Sequence, residues 1–140
     1  MPLWTIYCPV SAYTAEDKRA FASRITDFYA GYGLPRFYVN VMFHELPKDS
    51  FFIGGKPTDD FVRIWMDQIA RRMMPDRYQA WMELVNATID PFVRQRGYRS
   101  EIHIDETPME LWTIEGIKPP AAHSDAEKRW AREDRASPYE

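Results

Sequence analysis

Two successive strand, helix, strand arrangements constrain this 140-residue chain more than any single residue does. Leu3 to Cys8 is an apolar, β-prone run closed by Pro9, which has no N–H to give to a ladder. Thr14 stands as a helix N-cap with Asp17 at capping-box spacing, and Glu16 suits the positive end of the helix dipole. Phe21, Ile25, Phe28, Tyr29 and Tyr32 then recur at helical spacing, and Gly31, Gly33 and Pro35 stop the helix. Phe37 to Phe43 is apolar on both faces apart from Asn40, which predicts a buried central strand.

The pattern then repeats. Ser50 to Pro57 reads as a short hairpin or loop around Gly54-Gly55, and Phe61 to Met66 as a third strand. Tyr78, Trp81, Met82, Val85, Ile89, Phe92 and Val93 mark a second long helix ending at Gly97, with a kink or a restart at Asp90-Pro91. Ser100 to Asp105 is the fourth strand, in which Ile102 and Ile104 alternate with polar neighbours. The expected class is therefore α/β (α+β): tandem βαβ units in a four-stranded mixed sheet, with right-handed crossovers and two long helices on one face. Residue identity between the halves is low, so the repeat is structural. Residues 1–120 form the expected domain, including a last short ordered element over Glu110 to Gly116. Residues 121–140 form a charged C-terminal tail packed on or between subunits, with a helix capped by Ser124 and Trp130 as its one large apolar anchor.

One domain of this length buries a core without metal or disulfide staples. Five Trp, eight Tyr and eight Phe exceed what one small core absorbs, so some aromatic surface is expected at a pocket or a subunit interface. A net charge of −3 with no basic run argues against nucleic acid and anionic membranes as partners. Cys8 is the only cysteine, which excludes an internal disulfide. With no secretory apolar region and no stretch long enough to span a bilayer, the expected location is cytoplasmic.

The residue with unusual chemistry is Pro2. If Met1 is trimmed, Pro2 carries a terminal secondary amine, and an α-amino group has a reference pKa of about 7.7 to 8. Apolar neighbours at the end of a strand lower that value by penalising the cation. Such a group serves as general base, general acid or amine nucleophile near neutral pH.

Pro2 after Met1, the tandem βαβ units and the run Glu106-Thr107-Pro108 after the fourth strand together resemble the tautomerase superfamily. Within it, the chain is similar to the branch typified by cis-3-chloroacrylic acid dehalogenase and its fungal relatives. Ile25-Thr26-Asp27, Val41-Met42-Phe43, Phe52-Ile53-Gly54-Gly55 and Gly116 support the resemblance, which runs from Pro2 to about Pro120. It implies the tautomerase fold, a homotrimer, no metal or organic cofactor, and a proline at the floor of a pocket. It also implies proton transfer or water addition at a small keto, enol or unsaturated carboxylate that arginines hold through the planar guanidinium fork. The carry-over is partial. The family's paired arginines are spaced apart, whereas Arg71 and Arg72 are adjacent; its histidine is replaced by Tyr29 and its tyrosine by His103. Its catalytic glutamate falls on Ile114, beside Glu115, so dehalogenation is not expected.

On these grounds the expected activity is that of a cofactor-independent tautomerase or hydratase-like enzyme. Pro2, His103 and Tyr29 are the candidate catalytic groups. Arg71, Arg72, Phe37, Asn40, Trp112 and Glu115 are the candidate substrate contacts. Each has a plainer alternative: Tyr29, Phe37 and Trp112 as core, His103 as a surface residue, the arginines as a solvated turn, Asn40 as a partner of nearby backbone. His44-Glu45 and His123 lack metal-ligand spacing, so no metal is expected. Two other readings remain open. One is a tautomerase-fold binding protein with vestigial activity. The other is a ferredoxin-like dimer, which the same order of elements suits.

Overall fold

Alternation along the first strand defines the two faces of the sheet. In the computed structural model, which describes all 140 residues, β1 (Pro2–Pro9) turns Trp4, Ile6 and Cys8 fully inward and leaves Leu3, Thr5 and Tyr7 half-buried on the other side. β5 (Phe61–Ile69) does the same with Val62, Ile64 and Met66. β1 runs parallel to β2 (Asn40–Leu46) and antiparallel to β5, and β5 runs parallel to β6 (Arg99–Thr107), giving the order β2-β1-β5-β6. The helices α1 (Ala15–Ala30) and α2 (Tyr78–Ile89) cover the inward face, where Phe21, Ile25, Tyr29, Val85 and Ile89 join one core cluster. Each large side chain so buried contributes about 1.5 to 3 kcal/mol.

Local signals place the ends of these elements. Thr14 Oγ1 accepts from the Asp17 N–H at 3.1 Å and Asp17 Oδ2 accepts from the Thr14 N–H at 3.0 Å, a reciprocal cap on α1. Gly54 and Gly55, at φ 57° and 78°, make the mirror-image turn that a two-residue hairpin requires between β3 (Phe52–Ile53) and β4 (Lys56–Pro57).

Two expectations are corrected, and the break expected at Asp90-Pro91 is found. Phe37 and Tyr38 precede β2 in a 3-10 turn over Arg36–Tyr38, which begins after Pro35. β2 is an edge strand and not a central one, because β1 gives its other edge to β5; Met42 and His44 are left exposed. α2 stops at Ile89, where Pro91 cannot donate the next helical bond; 3-10 turns over Asp90–Phe92 and Arg94–Arg96 follow, ending at Gly97 with φ 83°.

The C-terminal residues fold back on the same protomer. Ser124 caps α3 (Asp125–Glu133), accepting from the Glu127 N–H at 3.2 Å. Trp130 is fully buried against Tyr38 and Trp112, and its Nε1 donates to the Ser137 carbonyl at 2.8 Å. Met1, Phe37, Ile69 and Ile114 pack around this second cluster, which therefore sits beside the amino-terminal end of β1. No helix is long and apolar enough to cross a membrane.

Candidate active site

Even-numbered residues of β1 face the helices, so Pro2 faces them too. It is buried opposite Gln68 of β5 and lines a cavity of about 170 Å³ together with Tyr29, Tyr32, Leu34, Arg71 and Trp81. Met1 lies at the mouth of this cavity. Its amine donates to the Ile69 carbonyl at 2.7 Å, and its carbonyl accepts from the Ile69 N–H at 2.8 Å. Burial, and after it the charge of Arg71, lower that amine from 8.0 to about 5 against the opposing pull of Glu127 and Asp67. A terminal amine in this place is thus held neutral well below physiological pH.

Arg71 reaches the cavity because the chain leaves β5 through Ala70, held at φ 73° with its N–H bonded to the Thr107 carbonyl at 2.9 Å. The guanidinium is not solvated as a turn residue would be. Its Nη2 donates to both carboxylate oxygens of Glu127, at 3.0 and 3.2 Å. Glu127, on α3, is 4% exposed, and its Oε2 also accepts from the His123 N–H at 2.6 Å. Arg72 points elsewhere, into a separate cavity of about 620 Å³ that it lines with Asp105, Glu106 and Glu110.

The other predicted residues divide. Tyr29 forms part of the wall, yet its hydroxyl is used in the core, accepting from Trp4 Nε1 at 3.1 Å and donating to Met66 Sδ at 3.1 Å. Burial raises its phenol above the ordinary tyrosine range. His103 pairs with Trp65, and Trp65 with Thr5, so all three side chains stand on the sheet face opposite Pro2. There the imidazole stacks on Trp65 at 5.5 Å, touches the Arg63 guanidinium and lies 3.7 Å from Asp105. By register it stands across the sheet from Pro2, yet it also lines a cavity that shares Gln68 and Trp81 with the Pro2 cavity.

Phe37 and Trp112 pack in the second cluster, around Tyr38 and Trp130, and not on the Pro2 cavity. Asn40 is paired with Leu3 on the open face, and its Nδ2 donates to the Tyr38 carbonyl at 3.4 Å. Glu115, at φ 51°, sits exposed with Gly116 at the tip of a turn closed by the Ile114 and Ile117 bridge. Of the nine predicted site residues, the cavity gathers Pro2, Arg71 and the ring of Tyr29.

It also gathers residues that sequence reasoning passed over. Gln68 lies beyond the end expected for its strand, and Trp81 reads as part of a core stripe. Both line the Pro2 cavity and an adjoining one of about 340 Å³ walled by Met73, Tyr78, Met82, Ile102, Ile104 and two titratable residues, His103 and Glu106. Gln68 Oε1 and Trp81 Nε1 are buried without a hydrogen-bond partner, as is Tyr38 Oη. Such atoms cost about 1 to 3 kcal/mol each when left unmade, so a ligand supplying their partners is favoured. Glu127 had one legible signal: it stands three residues before Trp130, on the same helical face.

Comparison with known proteins places this geometry. A family model described as "Putative oxalocrotonate tautomerase enzyme" matches residues 1–135. No curated protein matches the sequence. Among solved structures, RhCC from Rhodococcus jostii RHA1 is 47% identical, with 98% of this chain and 99% of that chain covered and a TM-score of 0.93. A probable enzyme from the thermophilic fungus Aspergillus fumigatus is 38% identical, with 99% and 98% covered and a TM-score of 0.92. N1, a member of the cis-3-chloroacrylic acid dehalogenase family, shares the fold at 18% identity, with 91% and 88% covered and a TM-score of 0.72.

Proposed function

The chain belongs to this tautomerase family, and we propose that it is a cofactor-independent keto-enol tautomerase in which Pro2, freed by removal of Met1, moves the proton. One observation carries the reading: Pro2 and Arg71 line the same cavity. The guanidinium holds the carboxylate of a small 2-keto or 2-hydroxy-alkenoic acid. The neutral amine takes the proton from the enol oxygen and delivers it to the adjacent carbon, so protons balance and the amine returns to its starting state. Trp81 Nε1 is a free donor for the oxygen on which charge develops, and Gln68 Oε1 is a free acceptor. No acid side chain lines the Pro2 cavity itself, while Glu106, in register with Gln68 and Pro2, lines the adjoining cavity.

The terminal amine of Met1 supports the role given to Pro2. A proline amine one residue further in lines the same cavity as Arg71, so its cation is expected to be disfavoured in the same direction. We extend the proposal to a cytoplasmic homotrimer assembled through the open face of the sheet, where Met42 and Trp65 are each 44% exposed. A structural neighbour at 20% identity is described as a fused 4-OT asymmetric trimer. A second reading, a binding protein with vestigial activity, is favoured by the fact that Arg71 already carries a carboxylate partner.

Ketonisation of phenylenolpyruvate separates the two. With Pro2 shown by intact mass to be amino-terminal, the wild type turns over and Pro2→Ala falls at least about tenfold, roughly 1.4 kcal/mol of transition-state stabilisation. Equal rates in the two proteins would leave only the binding reading.

A further inference from the structure

We infer that Glu127 is a positioning residue: from α3 it holds Nη2 of the Arg71 guanidinium and leaves Nε and Nη1 as the donors that anchor a carboxylate in the Pro2 cavity. The inference rests on the proposed role of that cavity in proton transfer.

A guanidinium carries five N–H donors in a planar fork. Glu127 engages Nη2 alone, through both of its oxygens, and the side chain of Arg71 makes no other hydrogen bond to the protein. Nε and Nη1 remain available as separate donors, because both bidentate edges of the fork include the Nη2 that Glu127 holds. The exposures fit this division of labour, since the Arg71 side chain is 29% exposed and that of Glu127 5%. One partner is buried as a fixture while the other opens onto the cavity.

The clamp is itself held. Oε2 of Glu127 accepts from the His123 N–H at 2.6 Å, and the Glu127 N–H donates to Ser124 Oγ at 3.2 Å. Three residues on, Trp130 is fully buried and bonded to the Ser137 carbonyl. The carboxylate is therefore fixed by its own helix before it meets Arg71, so its position decides where the guanidinium lies. Docking of α3 does not by itself require a charge there, because Trp130 supplies the apolar contact. A buried carboxylate is costly unless paired, and breaking the pair from one side leaves the other charge exposed to that cost. The site thus binds an anion through the donors that Glu127 leaves unpaired and not through excess positive charge.

The test uses the full chain with Pro2 amino-terminal and phenylenolpyruvate as probe. Glu127→Ala is expected to raise KM by roughly tenfold while kcat stays within about threefold, the pattern of lost ground-state anchoring. Glu127→Gln keeps a carbonyl acceptor for Nη2, and its KM stays within about threefold of wild type. Arg71→Ala raises KM at least as much, and adding Glu127→Ala to it changes KM by less than about twofold, because the two residues act as one unit. If Glu127→Ala fails to fold, Glu127→Asp keeps the charge, withdraws it by one methylene and carries the same expectation. A KM unchanged in both Glu127→Ala and Glu127→Asp, or effects that add in the double variant, would overturn the clamp while leaving Arg71 as anchor. An unchanged KM in Arg71→Ala would instead overturn the anchor, and the clamp with it.

Discussion

At the scale of the residue, the decisive quantity is the protonation of one amine. An ordinary α-amino group titrates near 7.7 to 8, and here burial first and Arg71 second push the terminal amine down, to about 5 for Met1. Under the proposed mechanism, a Pro2 amine in the same cavity is expected to stay neutral in mildly acidic solution. The acid limb of kcat/KM in the processed protein is expected to have its midpoint below about 8, checked by a pH-rate profile. The same shift acts on stability. The unfolded chain binds this proton at higher pH than the folded one, so stability rises with pH across the window from about 5 to 8 and falls on acidification through it. The chemistry proposed for Pro2 was readable from its place after Met1, and the structure puts the residue on a cavity with Arg71. Its partner was legible only as one of two adjacent arginines, because Ala70 at φ 73° redirects the chain and sends Arg71 and Arg72 to different cavities.

At the scale of the element, the main correction concerns α3. Its sequence is charged throughout, with Trp130 as one large apolar residue, and isolated it reads as a tail. In the fold, that tryptophan fills the cluster of Tyr38 and Trp112 beside the amino terminus, and the helix brings Glu127 to Arg71. Trp130→Ala should cost about 3 to 5 kcal/mol of stability by emptying the cluster. It should also raise KM for a carboxylate substrate, because α3 no longer holds its carboxylate in place. Thermal unfolding and steady-state kinetics on the same variant check both, and a drop in Tm with an unmoved KM would separate docking of the helix from the site. The elements of the sheet followed from alternation and helical spacing. The status of β2 did not, since its apolar residues suit a central or an edge strand equally and only the pairing of β1 with β5 decides.

At the scale of the whole molecule, one face of the sheet is closed by two helices and the other is open. Thr5, Met42, Trp65 and His103 lie across the open face in register. Trp65 is 44% exposed, although its Nε1 donates to Asp105 at 2.9 Å. If the protein assembles through this face, Trp65→Glu places a charge in the interface and yields monomer, which analytical ultracentrifugation reads directly against a wild-type trimer. The amino-acid sequence by itself determined the two βαβ units, the capped first helix, the glycine hairpin and the position of the proline to which we assign the chemistry. These follow from short-range rules of periodicity, capping and covalent structure. Tertiary structure alone decided that His103 lies across the sheet from Pro2, that Glu115 sits at a remote turn, and that a glutamate from the last helix meets Arg71. Those outcomes depend on strand order and on contacts between segments far apart in the chain, for which local spacing carries no information.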